Sequence, residues 1–112
     1  MNTAQQLFKG SLSTIILKLL SEQDKMYGYE ITKKVKTLTN DEMQLTEGAL
    51  YPALHKLEAD GLVTASIEMV DNRKRKYYAL SKNGKKETQY KLQEVHQFIA
   101  QMQQLLQLKP QM

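Results

Sequence analysis

Cysteine is absent from the chain, which excludes a disulfide framework and thiolate metal sites. That fits a reducing compartment, and the cytoplasm is the expected location. Histidine occurs only at His55 and His96. Two distant histidines without cysteine do not suit a transition-metal site, so no metal or cofactor is expected. No apolar run approaches the ~18 residues that a membrane span needs. Residues 12–20 are apolar but interrupted by Ser13, Thr14 and Lys18, unlike a secretory signal. Neither a glycine-rich phosphate loop, a nucleophile–base pairing nor a paired-carboxylate cleft is visible, so no enzyme is expected. Proline is confined to Pro52 and Pro110.

What is present is ordinary in amount and uneven in placement. The 112 residues are 41% hydrophobic and 25% charged, typical of one globular domain. A chain of this size removes roughly 60–70% of its unfolded surface from water on folding. The net charge of +4 is concentrated. Residues 1–72 carry seven lysines and ten acids, whereas residues 73–91 carry eight basic residues and one acid. The basic run Arg73-Lys74-Arg75-Lys76 is the densest part. A bare basic run is usually a solvated face, but beside a helix-turn-helix pattern it suits phosphates.

Hydrophobic spacing outlines the elements. Leu12, Ile15, Ile16, Leu19 and Leu20 recur as one helical stripe, with Ser11 or Ser13 as cap. That helix could begin as early as Thr3, with Leu7 and Phe8 on its apolar side. After a polar break over 21–26, Tyr27 opens a second helix with Ile31, Val35 and Leu38 on one face. Residues 39–41 close it. A third helix buries Leu50, Leu54 and Leu57 and exposes Gly48, Pro52, His55 and Lys56, with Tyr51 on the flank. Pro52 belongs in a first turn, so regular helix is expected to begin near Gly48 or Ala49, capped around Thr46 or Glu47. Asp60-Gly61 supplies a left-handed stop. Strands over 62–69 and 76–80 form a hairpin whose turn spans Val70 to Arg75, giving it a basic tip. Ser81 caps a last helix running to about Leu108, before Pro110.

The expected fold is therefore mainly α with a small β-hairpin: a winged helix-turn-helix over 1–81, a dimerisation helix over 82–108, and a tail over 109–112. In the last helix, Leu92, Val95, Ile99, Met102 and Leu106 keep a/d spacing, and Phe98 and Leu105 widen the stripe. At ~37 Å this helix is longer than so small a core can cover. We expect a homodimer seam, formed by pairing of two such helices or by crossing with the partner's N-terminal helix and its Leu7 and Phe8. An amphipathic helix folded back on its own domain is the alternative. The scattered methionines read as core or tail. Tyr27, Tyr29, Tyr77 and Tyr78 read as packing at the helix–wing junction, with a ligand cavity as the alternative. Glu47 either accepts from a cytosine amino group or simply favours the positive end of its helix. His55 suits a groove contact and plain solvent exposure equally.

Four linked motifs resemble one family. Tyr27-Gly28-Tyr29-Glu30-Ile31, Gly48-Ala49-Leu50-Tyr51-Pro52-Ala53-Leu54-His55-Lys56-Leu57-Glu58, Gly61-Leu62, and Arg75-Lys76-Tyr77-Tyr78-Ala79-Leu80-Ser81 with Gly84 look like the PadR family of bacterial transcriptional regulators. The resemblance runs from about Gly10 to Gly84, and the single closing helix resembles the shorter subgroup. It implies a winged helix-turn-helix, a homodimer through the terminal helices, and repression of nearby genes. It also implies a phosphate-facing hydroxyl on Tyr51 and a wing laid along the DNA backbone or into the minor groove. Ser81 stands where threonine is commoner in the family, and both can cap. Some members of the short subgroup stack flat drugs between tryptophans of the last helix. This chain has no tryptophan, and Val95 falls about where that residue would be.

Residues 46–56 are thus expected in the major groove and residues 72–76 on the flanking backbone. The candidate DNA-contacting residues are Tyr29, Lys33, Lys34, Thr46, Gly48, Tyr51, Pro52, His55, Lys56, Asn72, Arg73, Lys74, Arg75 and Lys76. A twofold dimer would read a pseudo-palindromic duplex with half-sites ~34 Å apart. A small aromatic or cationic effector, held between wing and dimer helix, is an expected regulator. The competing function is a winged-helix protein-interaction module that binds no DNA.

Overall fold

The structure, a computed structural model, describes residues 10–108. Leu7, Phe8 and the 109–112 tail lie outside the described residues. The first helix, α1, spans Leu12–Ser21. Ser11 flanks it, but only its backbone carbonyl caps, accepting the Ile15 N–H at 3.0 Å. Of the apolar stripe, Ile16, Leu19 and Leu20 are buried and Leu12 and Ile15 half-buried, and Leu17, off that stripe, is wholly buried too. The reason is topological: α1 is touched by both neighbouring helices, by the sheet and by the long last helix, so more than one of its faces is covered.

The second helix, α2, spans Gly28–Leu38, one residue later than Tyr27. Tyr27 instead joins Met26 in a short strand, β1, which the polar-break reading missed. It pairs antiparallel with the last strand, Met26 opposite Tyr78 and Tyr27 opposite Tyr77. Glu30 starts α2 by accepting the Tyr27 N–H at 3.1 Å. Ile31 and Val35 are buried, but Leu38 is exposed, contrary to the spacing. There the chain leaves the helix through left-handed Asn40 and Asp41, and Thr39 Oγ1 accepts the Met43 N–H at 3.1 Å. This fold-back brings Met43 and Leu45 onto the core in place of Leu38.

The third helix, α3, spans Glu47–Ala59, with Thr46 Oγ1 accepting the Ala49 N–H at 3.2 Å. Leu50, Leu54 and Leu57 are buried. The helix starts a residue or more earlier than Pro52 suggested, so Pro52 sits in the second turn. It has no N–H to give the Gly48 carbonyl four residues back. Both residues are on the solvent side, where water can satisfy that carbonyl. Gly61, at φ 76°, ends the helix, with Leu62 N–H returning to the Leu57 carbonyl at 2.9 Å.

Strands β2 (Val63–Val70) and β3 (Arg73–Leu80) pair in register from Val63–Leu80 to Val70–Arg73. The sheet order is β1-β3-β2. The turn is only Asp71-Asn72, both in the left-handed region at φ 50° and 61°, a two-residue mirror-image turn that suits strand twist. The expected turn over 70–75 was too long. Consequently Arg73 to Lys76 form a strand rather than a tip.

The last helix, α4, spans Lys82–Leu106 and ends two residues before the expected Leu108. Ser81 Oγ accepts the Gly84 N–H at 3.0 Å and donates to the Gly61 carbonyl at 2.6 Å. Buried Gly84 packs on the Leu62 carbonyl, where a Cβ would collide with backbone. Thr88, also buried, donates to the Gly84 carbonyl at 2.7 Å. These contacts join the start of α4 to the end of α3, and α4 then packs along α1. The described chain measures 54 × 30 × 24 Å.

Candidate nucleic-acid interface

The outward face of α3 carries Thr46, Gly48, Pro52, His55 and Lys56, all exposed. Lys56 pairs loosely with Asp60 at 3.3 Å, an exposed contact that restrains it little. Tyr51 is half-buried on the flank. Its hydroxyl lies against α2, where a Cβ on Gly28 would come within 2.5 Å of it. Glycine is needed there for this close approach. Burial raises the Tyr51 phenol above its ordinary range, with the Glu47 charge and Tyr78 adding to the effect. The hydroxyl therefore stays protonated and able to donate.

Tyr29 and Lys33 border a shallow recess between α2 and the head of α3, together with Thr32, Lys36, Gln44 and Thr46. Lys34 does not line this recess; half-buried, it borders a second one that it shares with Tyr29 and Lys33 and with Gln23, Met26 and Tyr27. The sequence reading missed Lys36 and Gln44. Gln44 lies two residues before the N-cap, a position that could have flagged it.

The four basic residues of β3 divide between two faces of the hairpin, as strand alternation requires. Lys74, Lys76 and Tyr78 share the inner face with Ala65, Ile67 and Met69 of β2, and Arg73, Arg75 and Tyr77 share the outer face with Ser66 and Glu68. Near the body, the inner face is core: Val63 and Tyr78 are buried, and Lys76 Nζ sits 5.5 Å above the Tyr78 ring. On the outer face, the Arg75 guanidinium lies 4.1 Å above the Tyr27 ring. A hydrogen bond to Tyr77 raises its already high pKa. Tyr27 packs edge-on to Tyr77 with centroids 5.6 Å apart and stacks on Tyr29 at 6.4 Å. Lys25 pairs with Glu68 and lies 4.9 Å from the Tyr77 ring, and its pKa is raised chiefly by the hydrogen bond to Glu68. The tyrosines therefore pack the helix–wing junction, though Tyr29 remains mostly exposed.

Of the proposed seam residues, Val95, Phe98, Ile99, Leu105 and Leu106 are exposed along α4, Phe98 by 58% and Leu105 by 72%. Leu92 and Met102 are half-buried. Among the described residues, no helix is long and apolar enough to cross a membrane. No group of three or more His, Asp or Glu among them is placed to hold a metal ion.

Three helices ending in a two-stranded wing, with a long helix keyed to the wing's root, define a winged-helix transcriptional regulator. Residues 16–90 match the transcriptional regulator PadR-like family, and the chain belongs to that family. A transcriptional regulator from Clostridium thermocellum has the same fold, with a TM-score of 0.81 and 28% identity over 93% of this chain and 96% of its own. A PadR-like transcriptional regulator from Bacillus cereus is similar, at a TM-score of 0.78 and 27% identity over 91% and 97%. An uncharacterised protein from Lysinibacillus sphaericus is 38% identical over 80 residues, 70% of this chain and 72% of its own length.

Proposed function

We propose that this regulator is a homodimeric repressor of nearby genes that binds a pseudo-palindromic DNA duplex, with α3 in the major groove and the wing on the flanking backbone. The observation that carries the reading is four consecutive basic residues on the wing strand β3 in the same winged domain as the exposed, small-residue face of α3, which packs against the neighbouring strand β2. The exposed apolar side of α4 supports pairing of two chains, since contiguous apolar surface of this kind marks an interface.

Small-molecule release belongs to the same proposal. A recess of about 780 Å³ lies between the end of α1, the root of the wing and α4, a size that suits a small ligand. Its lining sets Glu22 and Asp24 against Lys85 and adds apolar Leu20, Leu80 and Leu92, which supports a small aromatic or cationic effector.

The test is a duplex titration at increasing salt. Contacts to roughly four to eight phosphates per dimer give a log–log slope of about −4 to −7. A flat response overturns the proposal. Selection from a random duplex pool then supplies the operator.

A further inference from the structure

The free end of the wing is a ribbon with two unlike faces. On the outer face Arg75 is engaged: it stacks on Tyr27 and lies cross-strand from Glu68, which also holds Lys25. Arg73, on the same face beside the turn, is exposed. The inner face adds an apolar strip to its cations. Ile67 and Met69 are 65% and 64% exposed, although they share a face with core residues Val63 and Tyr78. Opposite them stand Lys76 and Lys74, both exposed. Neither lysine enters an ion pair among the described residues, and the inner face of the hairpin carries no acid.

Direction follows from packing. The inner face is the side of the sheet that covers the core on which α3 packs. Beyond the core, its side chains therefore project toward the same side as α3. Tyr51 of α3 packs against the core cluster that contains Tyr78, and Lys76 sits over that ring. A path of residues thus leads from the helix to the inner wing.

We propose that the inner face, Lys74 and Lys76 framed by Ile67 and Met69, is the wing surface that lies on duplex DNA, and that Arg75 is a positioning residue. This rests on the DNA-binding reading above. The lysines meet phosphates, and Ile67 and Met69 pack on deoxyribose at the edge of the minor groove. Paired cations on an otherwise apolar strip suit a backbone that alternates charged phosphate with apolar sugar. Arg75 acts through Tyr27, setting the angle at which the ribbon leaves the body.

The experiment is fluorescence anisotropy of the full chain on a duplex selected by the wild type, across a salt series, with thermal melts to check folding. Lys74→Ala with Lys76→Ala is expected to weaken binding about tenfold or more on every duplex and to make the slope shallower by about two per protomer. Ile67→Ser with Met69→Ser is expected to weaken binding several-fold with the slope unchanged, since no phosphate contact is lost. Arg75→Ala and Tyr27→Ala are expected to weaken binding alike, and the double variant no further. A lysine pair that can be removed without change in affinity or slope overturns the face assignment alone. Arg75→Ala that shallows the slope independently of Tyr27 makes Arg75 a phosphate ligand and overturns its role. A wild type that binds no duplex overturns the functional reading and this inference with it.

Discussion

Tyr51 is the residue on which the candidate interface turns. Its ring packs against the core cluster that includes Leu50 and Leu54, while its hydroxyl lies on the flank of α3 against Gly28. Tyr51→Phe should leave the melting temperature nearly unchanged and weaken duplex binding several-fold, read by anisotropy. Because folding raises its pKa, the folded state holds this proton more tightly than the unfolded chain does. The resulting stability is present below the phenol's ordinary pKa of about 10 and is lost as pH rises from there through the raised folded value. Urea titrations should therefore show a shallower alkaline decline for Tyr51→Phe than for the wild type. Two glycines separate function from stability in the same way. Gly28→Ala meets only the end of the Tyr51 side chain, so that ring shifts and binding suffers more than stability. Gly84→Ala meets the Leu62 backbone instead, and overpacking there should cost at least about 1–3 kcal/mol in denaturant titrations.

At the scale of elements, the wing turn offers a direct check. Both Asp71 and Asn72 hold positive φ, where glycine is unstrained. Asn72→Gly should hold or raise stability by up to about 1 kcal/mol, whereas Asn72→Val should lower it by about 1–2 kcal/mol, measured by thermal melts. The same turn shows what the sequence can convey. Asp-Asn lacks the glycine that would have pinned a two-residue turn, so its length was overestimated and the basic residues were placed at a tip. The α3 stripe, the Gly61 stop and the Ser81 cap were legible because each rests on residues within one or two helical turns. Strand β1 was not, since Met26 and Tyr27 are strand only through partners some fifty residues onward. Burial of Leu17 and exposure of Leu38 likewise depend on what packs against them. Alternation along β3 was readable in advance, and it would have separated Lys74 and Lys76 from Arg73 and Arg75. Their differing surroundings, Tyr27 on one side and Ile67 on the other, needed the fold.

For the whole molecule, affinity and assembly should be inseparable. Ile99→Asp places a charge in the apolar strip of α4, far from α3 and the wing. It should give monomers in sedimentation velocity and abolish operator binding while leaving the melt of the winged domain intact. A variant that still sediments as a dimer would move the seam elsewhere. The asymmetry of charge fits this division: the basic run from β3 into the first half of α4 gives way to a neutral stretch over 92–112.

The junction at Ser81 has a mechanical consequence. Because Ser81, Gly84 and Leu62 fasten α4 to the end of α3 with no linker between them, α4 is a rigid lever. A pivot of about 5° at its far end, carried over ~37 Å, displaces its near end by about 3 Å, close to the rise of one base pair. In the proposed dimer, a ligand wedged beside α4 would then need only that small tilt to throw the two copies of α3 out of step with a duplex, without disturbing either one.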